Sequence, residues 1–193
     1  MAATQQDQPV DSPHVGLQRR FGRVRFFAIA AAVLLILVAA DDLLSNREMD
    51  HLLDAVQASE APMRSANTDI DVAAGRLTPT ADAQTRNEAL NVVSARCGTA
   101  ATDVQAAGAL VESVGVLPWH RKIRTAKAAY LAHNRVWRDA FAACADDAPQ
   151  LAKPSRTAQI AATWRVAQRS FRAALPAVAL GQSDRRVQEI FGE

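Results

Sequence analysis

The stretch FFAIAAAVLLILVAA, residues 26–40, decides how this chain is organised. It contains no charged or polar side chain, and two aspartates follow it directly. An α-helix of this length rises only about 22 Å, whereas the hydrocarbon core of a bilayer is about 30 Å thick. Leu43 and Leu44 extend the apolar surface beyond the aspartates, and the arginines before the stretch can reach back to the headgroups. We therefore predict that residues 26–44 form a transmembrane signal-anchor helix.

The residues on either side of this segment indicate its orientation. Residues 1–25 are rich in Gln, contain two prolines and few apolar side chains, and are predicted to form a disordered tail. Because positive residues tend to stay on the cytoplasmic side, we expect this tail in the cytoplasm and residues 45–193 outside it, as a single-pass protein of the cell membrane. The basic cluster that sets this orientation consists of Arg19, Arg20, Arg23 and Arg25.

A cleavable signal peptide is the alternative interpretation of the same segment. A short apolar run after basic residues fits such a peptide, and Val38-Ala39-Ala40 resembles the small-residue site at which signal peptides are cut. Against this, the N-terminal region before the apolar run is unusually long for a signal peptide, and the run is rich in Leu, Ile, Val and Phe, which favours retention. Cleavage after Ala40 would release a secreted, soluble helical protein. Both interpretations place residues 45–193 outside the cytoplasm.

The composition of the remaining chain indicates an all-α fold. Alanine, the best helix former, is abundant, aromatic residues make up only 5% of the chain, and runs of β-branched residues are nearly absent. Turn signals divide residues 45–193 into four long helical patterns with short connections, which is typical of an up-down bundle. We therefore predict one N-terminal transmembrane helix followed by an antiparallel four-helix-bundle-like ectodomain over residues 45–193.

Turn and capping residues predict where these helices begin and end. Pro and Gly interrupt helices, whereas Thr, Asp and Ser cap their first turns. Pro62 is expected to kink or break the first helix, which continues outward from residue 41. The other predicted boundaries are an end near Gly75, a cap at Thr80 or Asp82, breaks at 115–118 and 146–149, a start at Pro154 or Ser155, a stop at Pro176 or Gly181, and a short amphipathic turn with Val187, Ile190 and Phe191.

The up-down order of the helices places one turn near the bilayer. The second helix returns toward the membrane, so the turn at 116–119 is expected close to the bilayer surface. A tryptophan followed by basic residues suits the interface between headgroups and acyl chains. The predicted membrane-interface residues are Trp119, Arg121, Lys122 and Arg124. The alternative is an ordinary solvated helix start beside a proline turn.

Charge is distributed unevenly along the chain. The net charge of +2 argues against a dedicated nucleic-acid-binding protein. Residues 41–112 carry 12 acidic and 5 basic side chains, whereas residues 113–193 carry 6 acidic and 13 basic ones. This distribution predicts two helical hairpins whose opposite charges help them dock, or a basic face for an anionic partner such as lipid headgroups.

Two cysteines, Cys97 and Cys144, follow the apolar segment. In an oxidising compartment they are expected to form an intrachain disulfide. Counting from the turn near residue 117, however, straight helices would leave them offset by roughly 10 Å, whereas a disulfide needs Cα atoms within about 7 Å. An intermolecular bond or two buried thiols are the alternatives.

Few residues of this sequence carry recognisable chemistry. The aromatic residues Tyr130, Trp137 and Trp164 either belong to the core or line a ligand pocket. No histidine lies three or four residues from another, and motifs for nucleophilic catalysis, phosphate binding, dinucleotide binding and zinc proteolysis are lacking. We therefore expect no enzymatic activity, no metal and no cofactor.

These features favour a non-enzymatic interaction or accessory module. An excess of Ala and Arg is typical of a GC-rich bacterial genome, so the expected setting is the bacterial cell envelope. The expected partners are the lipid bilayer and another envelope protein. The alternative is a small-ligand-binding, sensory-type bundle that uses the aromatic pocket.

Overall fold

The structure, a computed structural model, describes residues 15–75, 80–175 and 182–192, with side chains from residue 26 onward. Within these ranges the chain forms five α-helices and no strand, which confirms the predicted all-α class. The helices are α1 (Val15–Ala74), α2 (Ala83–Ser113), α3 (Arg121–Asp146), α4 (Pro154–Ala174) and α5 (Ser183–Phe191), with a 3₁₀ turn at Ala148–Gln150.

Capping chemistry explains the observed helix boundaries. Asp82 caps α2 by accepting a hydrogen bond from the backbone amide of Thr85 at 2.7 Å. Pro154 lies at the start of α4, where its missing N–H would have no helical partner in any case. These positions agree with the predicted starts. The predicted stop at Pro176 or Gly181 lies outside the described residues.

Helix α1 differs from the prediction in two places. It begins at Val15, so residues 15–25, predicted as part of a disordered tail, are helical, and residues 1–14 lie outside the described part. It also continues through Pro62 without a break. Ser59 and Met63 are buried on either side of this proline, so packing outweighs the backbone hydrogen bond that it removes.

The chain divides into two units, residues 1–42 and 43–193. In the first unit, the large apolar side chains between Phe26 and Val38 are 50–70% exposed. Among the described residues, one helix is long and apolar enough, by length and composition alone, to cross a membrane, and its apolar window is not buried. These properties are compatible with a membrane anchor or with a signal sequence.

The second unit has a continuous apolar core. Helix α3 contacts α2 and α4, and α4 contacts α5. The part of α1 beyond residue 43 joins this core through Leu52, Leu53 and Val56, all fully buried. Small residues such as Ala126 and Ala140 let the helices approach one another. The bulkiest fully buried side chains are Tyr130, Phe141, Phe171 and Met49.

Polar contacts attach the C-terminal helix α5 to α1. Arg186 donates a hydrogen bond to Asp54 at 2.6 Å and lies 4.0 Å from Asp50. Ser183 also donates to Asp50, at 2.8 Å. These contacts join the acidic first part of the chain to its basic second part, and they favour the docking interpretation of the uneven charge.

The Cys97–Cys144 disulfide is present, with a Cα–Cα distance of 5.7 Å, so the predicted intrachain bond is confirmed. The expected offset disappears because the α2–α3 connection is asymmetric. Lys127 donates to the carbonyl of Val114 at 2.7 Å, so the first turns of α3 lie beyond the end of α2. Cys144 lies seventeen residues after Lys127, and Cys97 lies seventeen residues before Val114. The two cysteines are therefore level with each other.

Helices α2 and α3 also approach closely where Gly108 faces Asn134. Asn134 is 4% exposed, and its Nδ2 atom has no hydrogen-bond partner among the described residues. A Cβ atom on Gly108 would lie 2.5 Å from Asn134 Oδ1. The absence of a side chain at residue 108 therefore makes room for the Asn134 amide.

Candidate functional site

Tyr130, one of the three predicted pocket residues, belongs to the core. It is fully buried on α3, where its hydroxyl contacts Ser59 Oγ and donates to Glu60 Oε1 at 2.8 Å. Burial raises the pKa of the Tyr130 hydroxyl, and the neighbouring Glu60 carboxylate raises it further. Because both hydrogen-bond partners lie on α1, Tyr130 connects two helices and does not line the groove described below.

Glu60 places a carboxyl group where an apolar side chain would be expected. The residue is only 8% exposed. Its Oε1 atom accepts from Tyr130, whereas Oε2 has no hydrogen-bond partner among the described residues and lies 4.0 Å from Arg64 Nε. Burial raises the pKa of this carboxyl group, and the Tyr130 hydrogen bond and the Arg64 charge act in the opposite direction.

His133 is held in one neutral form between α3 and α4. Its Nε2 atom accepts a hydrogen bond from Trp137 Nε1 at 3.1 Å, so the ring proton lies on Nδ1. Nδ1 then donates to Thr163 Oγ1 at 3.0 Å. Burial lowers the pKa of His133 to about 4. With both nitrogens engaged, His133 orients the Trp137 indole and is not placed to act as a base.

A groove of about 440 Å³ lies between α1, α3 and α4. Trp137 and Trp164, two of the three residues named from the sequence, line it together with Glu60. The Trp137 ring is stacked on Phe141, with 5.1 Å between ring centroids, and the Trp164 ring packs on Phe191 at 4.7 Å. The other lining residues are Asn67, His133, Leu151, Thr157, Ile160 and Ala161.

Glu60 was not among the residues named from the sequence, although its position on α1 carried a signal. Glu60 lies seven residues after Leu53 and four after Val56, so it falls on the apolar stripe of α1. A charged residue on such a stripe is buried against the next helix unless the stripe ends there. Its position therefore marks either a structural polar contact or a binding site.

The predicted membrane-interface residues lie together at the turn between α2 and α3. Trp119 is 61% exposed, and the three basic residues that follow are also exposed. Arg124 Nη1 donates to the carbonyl of Pro118 at 3.0 Å. Lys127, by contrast, binds the carbonyls of Glu112 and Val114 at the end of α2, so it is occupied within the fold.

A half-buried carboxylate on α1, that of Glu48, fixes the position of this turn. Glu48 accepts hydrogen bonds from the Leu117 amide at 2.9 Å and from His120 Nδ1 at 2.7 Å. Glu48 lies four residues beyond Leu44, a rise of about 6 Å along the helix. The Trp119 turn is therefore held close to the level of Leu44.

The described residues contain no group of three or more His, Cys, Asp or Glu side chains that could hold a metal ion. Comparison of the chain with protein-family models, with curated proteins and with solved structures found no significant match.

Proposed function

We propose that this chain is a single-pass membrane protein with a non-enzymatic interaction or accessory role in the bacterial cell envelope. In this proposal residues 26–44 stay in the bilayer, and residues 45–193 form an antiparallel four-helix bundle outside the cytoplasm. The observation that carries it is the row of exposed apolar side chains from Phe26 to Val38. Soluble monomers rarely expose an apolar surface of this extent, whereas a bilayer would cover it.

The remaining parts of the proposal have their own support. A disulfide persists in an oxidising compartment, which agrees with an extracytoplasmic domain and a cytoplasmic N-terminus. The contacts of α1 with α3 and α5, and of α3 with α2 and α4, are those expected of a bundle. The partners proposed here are the lipid bilayer and a further protein of the envelope.

The Trp119 turn is proposed to contact the bilayer surface. Glu48 holds the turn close to the level of Leu44, where the proposed membrane segment ends. An exposed indole and the positive charges of Arg121, Lys122 and Arg124 match the chemistry of anionic headgroups above acyl chains.

N-terminal sequencing of the mature protein, combined with alkaline carbonate extraction of membranes, tests the anchor. We expect an intact N-terminus and retention of the full chain in the membrane pellet. A mature chain that starts at Asp41 and is released into the supernatant would overturn the anchor and would support the secreted alternative. Protease treatment of intact spheroplasts should digest residues beyond 44 and should leave the N-terminal tail protected.

Quenching by brominated lipids tests the contact of the turn. The full chain is reconstituted into nanodiscs of phosphatidylcholine and phosphatidylglycerol with bromines near the headgroup, and its emission is compared with that of Trp119→Phe. We expect the quenched fraction to fall strongly in this variant, whereas Trp164→Phe serves as a matched control within the domain. Equal quenching in Trp119→Phe and the parent would exclude the contact.

A second candidate function is small-ligand binding in the groove. The observation that favours it is that Glu60, whose Oε2 atom has no hydrogen-bond partner in the described structure, lines the same groove as two indoles. This function does not depend on whether residues 26–44 are retained.

A further inference from the structure

The groove combines three kinds of surface that together define a ligand class. Glu60 on α1 contributes a carboxyl group, Trp137 on α3 and Trp164 on α4 contribute indole rings, and Leu151, Ile160 and Ala161 contribute aliphatic surface. Its volume of about 440 Å³ falls in the range typical of small-molecule sites. We propose that this groove binds a small organic cation, with its alkylammonium group between Glu60 Oε2, Trp137 and Trp164. The inference rests on the second candidate function and specifies its ligand.

The carboxyl group of Glu60 is incompletely satisfied by the protein itself. A buried carboxylate is costly unless a positive charge or several hydrogen bonds compensate it. Tyr130 supplies one neutral donor to Oε1. Arg64 is 4.0 Å from Oε2, and its side chain is 63% exposed, so its charge is largely shared with water. A cation in the groove would supply the missing partner at Oε2.

The two tryptophans suit an alkylated cation better than a strongly hydrated one. An indole attracts a cation through its ring electrons, and the contact is strongest when the cation is desolvated. Phe141 and Phe191 fix the two rings from behind, so little ordering is needed when a ligand binds. Ile160 offers aliphatic surface for methyl groups, and Thr157 offers a hydroxyl for a polar tail.

Other ligand classes fit this groove less well. An anion in the groove would face the Glu60 carboxylate, and the side chain of the neighbouring Arg64 is 63% exposed and points largely into solvent. A metal ion would need several ligands, and the described residues contain no suitable cluster. A neutral apolar ligand would leave Oε2 unpaired.

The test uses the full, disulfide-bonded chain in non-ionic detergent with choline chloride as the probe. Trp119→Phe serves as the background, so that the emission reports Trp137 and Trp164. The uncharged carbon isostere 3,3-dimethylbutan-1-ol is titrated in parallel, and sodium chloride keeps the ionic strength constant. We expect saturable binding of choline, with affinity for the isostere weaker by about tenfold or more.

Two substitutions separate the proposed role of Glu60 from a structural one. Glu60→Gln keeps an oxygen for Tyr130 but removes the charge, and it should weaken choline binding by about tenfold or more. Glu88→Gln, on the exposed face of α2, is the matched control and should bind as the parent does. Arg64→Ala removes the internal competitor for Oε2 and should tighten binding.

The outcomes are distinguishable. If the isostere binds as well as choline, or if Glu60→Gln and Arg64→Ala leave choline affinity unchanged, the cation is excluded as the ligand while a ligand groove stands. If neither probe binds, the proposal of a cation site is overturned. Circular dichroism of each variant checks folding, and the Arg64→Ala measurement decides the question even where Glu60→Gln fails to fold.

Discussion

Replacing Gly108 by alanine should not stabilise the domain, although alanine is the better helix former. Position 108 lies within α2, where Gly→Ala alone gains about 1 kcal/mol. The new Cβ atom would lie 2.5 Å from Asn134 Oδ1, closer than unstrained atoms pack. Asn134 is buried and short, so relief requires a shift of its amide or of the two helices.

The expected magnitude follows from these two opposing contributions. Overpacking of a well-packed contact costs about 1–3 kcal/mol, so Gly108→Ala should range from neutral to a net loss of about 2 kcal/mol. In an Asn134→Ala background the obstruction is gone, and the same substitution should gain about 1 kcal/mol. The coupling energy of the two changes is therefore about 1–3 kcal/mol.

The assay is urea unfolding of the full, oxidised chain in non-ionic detergent, followed by circular dichroism at 222 nm, an α-helical band, for both single variants and the double variant. Gly98→Ala is the matched control, because its Cβ would meet Ala145 Cβ at an ordinary 3.8 Å. It should stabilise the domain by up to about 1 kcal/mol. Equal effects of Gly108→Ala with and without Asn134 would refute the proposed close approach.

Four further predictions concern stability. Replacing Cys97 and Cys144 by alanine should lower the free energy of unfolding by up to about 4 kcal/mol, the loop-entropy value for a separation of 47 residues, as measured by urea midpoints with and without reductant. Burial lowers the pKa of His133 from 6.5 to about 4, so the unfolded chain takes up the proton at a higher pH than the folded one. The free energy of unfolding should therefore fall by up to about 3 kcal/mol as the pH is lowered from 6.5 to 4, and His133→Gln should remove this pH dependence in urea unfolding. Burial raises the pKa of Glu60, so its charged form destabilises the folded state. Glu60→Gln should therefore increase the free energy of unfolding most at neutral pH, and this gain should vanish below the ordinary pKa of 4.5, where the carboxyl group is protonated in both states. Glu48→Ala leaves two donors of the turn without their acceptor and should cost about 1–3 kcal/mol, with faster proteolysis of the turn as a second measurement.

Local features of the fold were accessible from the sequence. The cap at Asp82 and the start at Pro154 depend on residues within one turn of each boundary, so their side-chain chemistry is sufficient to place them. The apolar stripe of α1 is likewise a property of residues at fixed spacing. Pro62 shows the limit of this reasoning, because burial of its neighbours through long-range packing decides that the helix continues.

The register of α2 against α3 could not be obtained by counting residues from the turn. Counting assumes that both helices end at the same level. The non-helical residues 114–117 instead run past the first turns of α3, and each extended residue advances about 3.3 Å, compared with about 1.5 Å in a helix. The Lys127 contact with Val114, which fixes this offset, joins residues whose pairing no local pattern indicates.

Two lining residues of the candidate groove, Trp137 and Trp164, were among the residues named from the sequence. Each falls at helical spacing on the inward-facing apolar side of its own helix, α3 or α4. Tyr130 shares that spacing but lies deeper, since its hydroxyl finds Glu60 and Ser59 on α1. The sequence pattern cannot distinguish these depths, because they depend on which polar group the neighbouring helix presents.

The Cys97–Cys144 bond closes a ring of polypeptide that contains the Trp119 turn. A protease that cuts this exposed turn opens the ring but does not separate its pieces. The nicked protein would migrate as one species in a non-reducing gel and would yield two fragments only after reduction. One cut in this surface loop therefore does not detach half of the domain.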